Sequence, residues 1–92
     1  MRTIHKYPLG PGPITEVEVP RGGRVVHVAL QRNVPCAWVE VDDARPVETR
    51  RFDIVGTGTS VWQGDHVGTF MTADDALVFH VYASPTTPEA AS

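Results

Sequence analysis

The sequence predicts an all-β fold: an antiparallel β-sandwich of about seven strands, or a small Greek-key barrel. Three observations carry that expectation. No segment places apolar residues at helical spacing over three turns. Eight glycines and eight prolines cut the chain at intervals of roughly 8–12 residues, the turn spacing of sandwiches and barrels. The pieces between them alternate apolar and polar residues, the period-2 pattern of half-buried strands. The connections are too short for crossover helices, so the pairing is expected to be antiparallel.

The elements follow in order. Arg2 to Leu9 is the first strand, centred on Ile4, and Gly10-Pro11-Gly12-Pro13 ends it in a turn. Ile14 to Val19 follows, with Glu16 and Glu18 on one face and Val17 and Val19 on the other. After Pro20-Arg21-Gly22-Gly23, Arg24 to Gln31 is the strongest strand, with Val26, Val28 and Leu30 expected on the core face. Asn33-Val34-Pro35 leads into Cys36 to Val41, where Ala37, Val39 and Val41 alternate with Trp38 and Glu40. A polar turn over 42–46 precedes Glu48 to Val55, with Phe52 and Ile54 inward. Gly56-Thr57-Gly58-Thr59-Ser60 breaks the pattern before Asp65 to Thr72. Ala76 to Ala83 closes the fold, with Leu77, Phe79 and Val81 on one face and Val78, His80 and Tyr82 on the other. The expected core is Val26, Val28, Leu30, Val39, Phe52, Ile54, Phe79 and Val81. One domain over 1–83 is expected, with 84–92 as a flexible tail of Pro, Thr, Ala and Glu.

Composition narrows the functional classes. The formal net charge is -3, which disfavours nucleic acid and anionic membrane as partners. A lone cysteine, Cys36, excludes an internal disulfide. No run approaches the ~20 apolar residues of a membrane span, and Met1 to Lys6 lacks the hydrophobic run of a signal peptide. A cytoplasmic location is therefore expected.

No catalytic or cofactor signature is present. His5, His27, His66 and His80 have no ligand-pair spacing within a strand, so no metal is expected, even if His27 and His80 meet on neighbouring strands. Asp65-His66 lacks a Gly-x-Ser-x-Gly elbow or a cysteine-protease motif. Gly56-Thr57-Gly58-Thr59 resembles a phosphate cradle in composition alone, because no helix or Lys-Ser/Thr follows. Its consecutive amides could still form an anion nest. Arg32, Arg45, Arg50 and Arg51 are the one basic cluster in sequence; Arg50 and Arg51 point to opposite faces, and all four are expected to be solvated. Trp62, beside Val61 in a loop, reads as a flap or as an interface anchor.

The chain also resembles a known family. The residues that carry the likeness are Lys6-Tyr7-Pro8-Leu9, Pro20 to Gln31, Pro35-Cys36-Ala37-Trp38, Gly56-Thr57-Gly58, Val67-Gly68-Thr69 and Leu77 to Val81. In this order, over residues 6–82, they are similar to small bacteriophage and prophage proteins grouped as a domain of unknown function, often from actinobacterial hosts. The chain departs from that pattern at Thr59, where His often follows Gly-Thr-Gly, and at Phe79, often Trp. The resemblance implies a phage origin and brings no activity with it.

The expectation is therefore a non-enzymatic, phage-encoded protein-binding module without cofactor, in the host cytoplasm or on the virion. The alternative is a protein that binds or sequesters a small ligand, a nucleotide or anion. The candidate binding residues are Thr57, Gly58, Thr59, Val61, Trp62, His27 and His80. The last strand lacks edge-blunting charges and prolines, so it is expected to be central, or else to pair with a second copy in a symmetric dimer.

Overall fold

A computed structural model describes residues 1–61, 63–72 and 74–85. Seven strands form two sheets: β1 (Arg2–Pro8), β2 (Ile14–Pro20), β3 (Arg24–Gln31), β4 (Val34–Asp42), β5 (Val47–Gly56), β6 (Asp65–Met71) and β7 (Val78–Ala83). One sheet has the order β1-β4-β3 and the other β2-β5-β7-β6, with every hydrogen-bonded pair antiparallel. The result is an open sandwich. β7 lies between β5 and β6, so it is central and its backbone is paired on both sides.

The alternation read from the sequence decides what lies between the sheets. Val28, Ala37, Val39 and Val41 from the first sheet meet Val19, Phe52, Phe70, Val81 and Ala83 from the second, with Leu9 at one end. Each fully buried Val or Phe side chain contributes about 1.5–3 kcal/mol relative to its exposed state. Leu30, Ile54 and Phe79 are half-buried and pack against this cluster.

Three expectations are corrected. Val26 is 39% exposed, because a β-bulge shifts the register of β3. Val25 pairs with Val39 and His27 with Trp38, leaving Val26 as the extra residue. The core face is therefore Val25 before the bulge and Val28 after it, out of strict period 2. Leu77 is 56% exposed, because β7 begins at Val78 and Leu77 belongs to the preceding loop. Arg50 is only 6% exposed, so it is not a solvated arginine. It donates from Nε to the carbonyl of Ser84 at 2.8 Å and from Nη1 to that of Gly23 at 2.9 Å. It thereby ties the end of β7 in one sheet to the start of β3 in the other. Burial pushes the pKa of this guanidinium down, against the pull of Glu48 and Asp65.

A second bulge lies in β6. His66 pairs with Tyr82 and Gly68 with Val81, so Val67 is extra. Gly68 is a close-approach position: a Cβ there would sit 2.5 Å from Cβ of Val28. Its lack of a side chain lets β6 pack along β3, where the two sheets approach each other most closely. Ser84 is also held in place, its amide donating to Arg51 O at 2.9 Å and its hydroxyl accepting from Arg51 N at 3.0 Å. The expected tail beyond Pro85 lies outside the described residues.

Candidate functional site

β5 and β6 both run antiparallel to β7, so they run parallel to each other and are joined by residues 57–64. Gly56-Thr57-Gly58-Thr59 begins this connection as a turn. Thr59 N donates to Gly56 O at 3.0 Å, and Gly58 has φ +89°. A positive φ at the third residue is the mark of a type II turn and is what glycine supplies. The Thr59 amide is thus engaged by the turn. Val61 is exposed, and Trp62 lies outside the described residues.

Thr57 and His80 come together on the outer face of the four-stranded sheet. His80 Nε2 lies 3.1 Å from Thr57 Oγ1, and His80 Nδ1 lies 3.2 Å from Thr69 Oγ1. Thr69 Oγ1 is in turn 3.1 Å from His66 Nε2. The direction of these bonds follows from the end of the chain. The Thr57 hydroxyl donates to Val78 O at 3.3 Å, so it must accept from His80 Nε2. With a neutral imidazole, His80 Nδ1 then accepts from Thr69, and Thr69 accepts from His66. In this arrangement the Thr57 proton points toward Val78 O and away from the imidazole. Tyr82 closes the row edge-on against His66, with ring centroids 5.4 Å apart.

His27 is elsewhere. It lies on the outer face of the other sheet, against Trp38 with ring centroids 5.5 Å apart. β3 and β7 belong to different sheets, so the juxtaposition of His27 with His80 does not occur. Among the described residues, no group of three or more His, Cys, Asp or Glu side chains could hold a metal ion.

A further concavity is built from residues that the sequence does not single out. One end of the sandwich gathers the loop over 9–13, the turn over 32–33 and the loop after β6. Between them lies an apolar groove of about 510 Å³, floored by Leu9, Leu30, Ile54, Phe70 and Phe79. Pro11, Pro13, Pro35, Asn33 and Thr72 form its rim, and among the described residues no ionisable side chain lines it. Phe70 and Phe79 stack at 5.4 Å as cross-strand partners. The walls are tied down: Leu9 N donates to Pro35 O at 2.8 Å, Gly10 N to Thr15 Oγ1 at 2.7 Å and Ile54 N to Pro13 O at 2.7 Å. The Thr72 hydroxyl donates to Asp74 Oδ1 at 2.9 Å and accepts from Leu77 N at 3.2 Å. Exposed Ile14, Val34, Met71 and Leu77 adjoin the lining residues along the chain or through this loop. In sequence, the lining residues read as ordinary core and turn residues. The one available signal was a surplus of apolar residues at strand ends on this side.

Two packed antiparallel sheets with an apolar groove at one end define the molecule as a small open β-sandwich. A family model described as Domain of unknown function (DUF7352) matches residues 1–91, and the chain belongs to that family. Comparison with curated proteins found no match, and neither did comparison with solved structures.

Proposed function

We propose that this chain is a non-enzymatic, phage-encoded protein-binding module, working in the host cytoplasm or on the virion, and that it holds an apolar segment of a partner protein in the end groove. The carrying observation is the groove itself: about 510 Å³, apolar on its floor and, among the described residues, free of ionisable lining side chains. Such a concavity rewards desolvated aliphatic or aromatic side chains and offers no group for proton or group transfer. The exposed apolar residues adjoining it, Ile14, Val34, Met71 and Leu77, enlarge the surface a partner could cover. The phage origin rests on the motif resemblance over residues 6–82.

The test is affinity capture from phage-infected host cells with the native chain and with the Met71→Lys/Leu77→Lys variant. Both positions are exposed, so the variant should fold with an unchanged melting curve. The expected result is a partner retained by the native chain and lost by the variant, with a photo-crosslinker at position 77 joining it to the partner. Retention by both proteins, or no retained partner, would overturn the reading.

The rival reading, a small-ligand protein built on Gly56 to Thr59, meets a specific difficulty. The Thr59 amide and the Thr57 hydroxyl are both engaged internally. A thermal-shift screen against nucleotides tests this rival, which requires a rise in melting temperature that the Thr57→Val variant abolishes.

A further inference from the structure

We propose that the groove walled by Arg2, Arg21, Arg24 and Arg45, at the end of the sandwich opposite the apolar groove, binds a phosphate-class oxyanion. The sequence scatters these arginines, and the topology collects them. Arg2 opens β1 and Arg24 opens β3, on either side of the central β4. Arg21 comes from the turn before β3 and Arg45 from the turn after β4. The two turns are fastened together by Arg21 N donating to Pro46 O at 2.8 Å.

The electrostatics favour an anion. The chain carries a net charge of -3, yet this groove of about 270 Å³ sets four guanidiniums against two carboxylates, Glu40 and Asp42. Both carboxylates are already engaged. Glu40 Oε1 accepts from Arg2 Nη2 at 2.9 Å and from Arg24 Nη2 at 3.2 Å. Asp42 Oδ1 accepts from the N-terminal ammonium at 3.2 Å and from Ala44 N at 3.1 Å. Arg2 and Arg24 therefore crowd onto one oxygen, two like charges side by side that a single carboxylate cannot neutralise. Each keeps further N–H donors, since a guanidinium has about five. Both side chains are largely exposed, 73% and 71%.

Arg21 supplies the second observation. Its Nε is buried and has no hydrogen-bond partner in the protein, the one such side-chain atom among the described residues. A buried unpaired donor is costly, and a small rotation presenting Nε and Nη to an oxyanion would satisfy it. The floor is preorganised: Asp43 N donates to Met1 O at 3.0 Å and Arg45 N to Asp42 O at 3.1 Å. A doubly charged phosphate group, free or carried by a nucleotide, matches this excess of planar donors.

The experiment follows the arginine Nε–Hε resonances of the ¹⁵N-labelled full chain during titration with sodium phosphate, with AMP, and with sodium chloride at matched ionic strength. The expected result is a saturable shift at Arg21 and Arg24 with phosphate and AMP and none with chloride. Arg2→Gln and Arg24→Gln should each weaken it by about tenfold, the loss of one charge-assisted pair. These two sites are exposed, so both variants should fold, and Arg21→Gln adds a third if its melting curve is intact. Equal affinity for both ligands identifies the phosphate group alone as what is read. Tighter AMP binding identifies a nucleotide phosphate. Shifts that do not saturate, that chloride reproduces, or that survive Arg2→Gln and Arg24→Gln unchanged would overturn the proposal.

Discussion

A single missing side chain sets how closely the two sheets approach where β6 runs along β3. The Cβ that Gly68 lacks would lie 2.5 Å from Val28 Cβ and 2.6 Å from its Cγ2. Gly68→Ala should therefore destabilise by about 1–3 kcal/mol, the usual cost of overpacking. Val28→Gly removes both of those atoms and leaves a void that the new methyl group can occupy. In the double variant, the two costs should fall short of additivity by about 1 kcal/mol or more, read from urea unfolding midpoints. Strict additivity would mean that the strands move apart instead. At this scale the sequence was partly legible. Val28, Val39, Phe52 and Val81 announced themselves by alternation, and all four are buried. Arg50 could not be read that way. Its burial depends on two carbonyls, Gly23 and Ser84, that only the packed sheets bring within reach.

Strand positions were legible almost to the residue because glycine and proline punctuate the chain so densely. What failed was phase within a strand, and a turn that has no glycine. Val26 alternates correctly on paper, but the bulge in β3 moves it out of the core. Nothing in Arg24 to Gln31 marks that bulge, since it answers to the packing of β3 along β6. The β3–β4 hairpin turns on Arg32 and Asn33, at φ 50° and 66°. Two positive φ values at the central positions define a type I′ turn, where Asn and Gly are favoured and Arg is strained. Arg32→Asn should accordingly raise stability by about 0.5–1 kcal/mol, measured as a higher denaturation midpoint with an unchanged m-value. The apolar groove was illegible for a related reason. Leu9, Leu30, Ile54, Phe70 and Phe79 lie on five separate segments, and only the sheet order gathers them.

On the scale of the whole molecule, charge and topology each set a behaviour. Arg2 first, then Arg24, holds the Glu40 carboxyl below the usual glutamate range. The Ala44 amide and then the N-terminal ammonium do the same for Asp42. A depressed folded-state pKa stabilises the fold above the ordinary carboxylate range, and this contribution is lost as the pH falls through the folded value. An NMR titration should place the Glu40 midpoint below that of a free glutamate, and Arg2→Gln should move it upward. No movement would mean that the Arg2 guanidinium does not stabilise the Glu40 carboxylate in solution. The edges of both sheets carry their own protection: Lys6 and Pro8 on β1, Glu16, Glu18 and Pro20 on β2, and bulges in β3 and β6. The central place of β7 removes the ground for a dimer built by pairing that strand. That same central place has a consequence for synthesis. β5 and β6 are synthesised before the strand that separates them, so neither has that hydrogen-bonding partner until residues 78–83 are made. A chain ending at Leu77 should remain unfolded or loosely collapsed. A synthetic peptide spanning residues 77–85, supplied in trans, should pair with both strands and restore a cooperative melting transition, as strand donation does in sheets left one strand short.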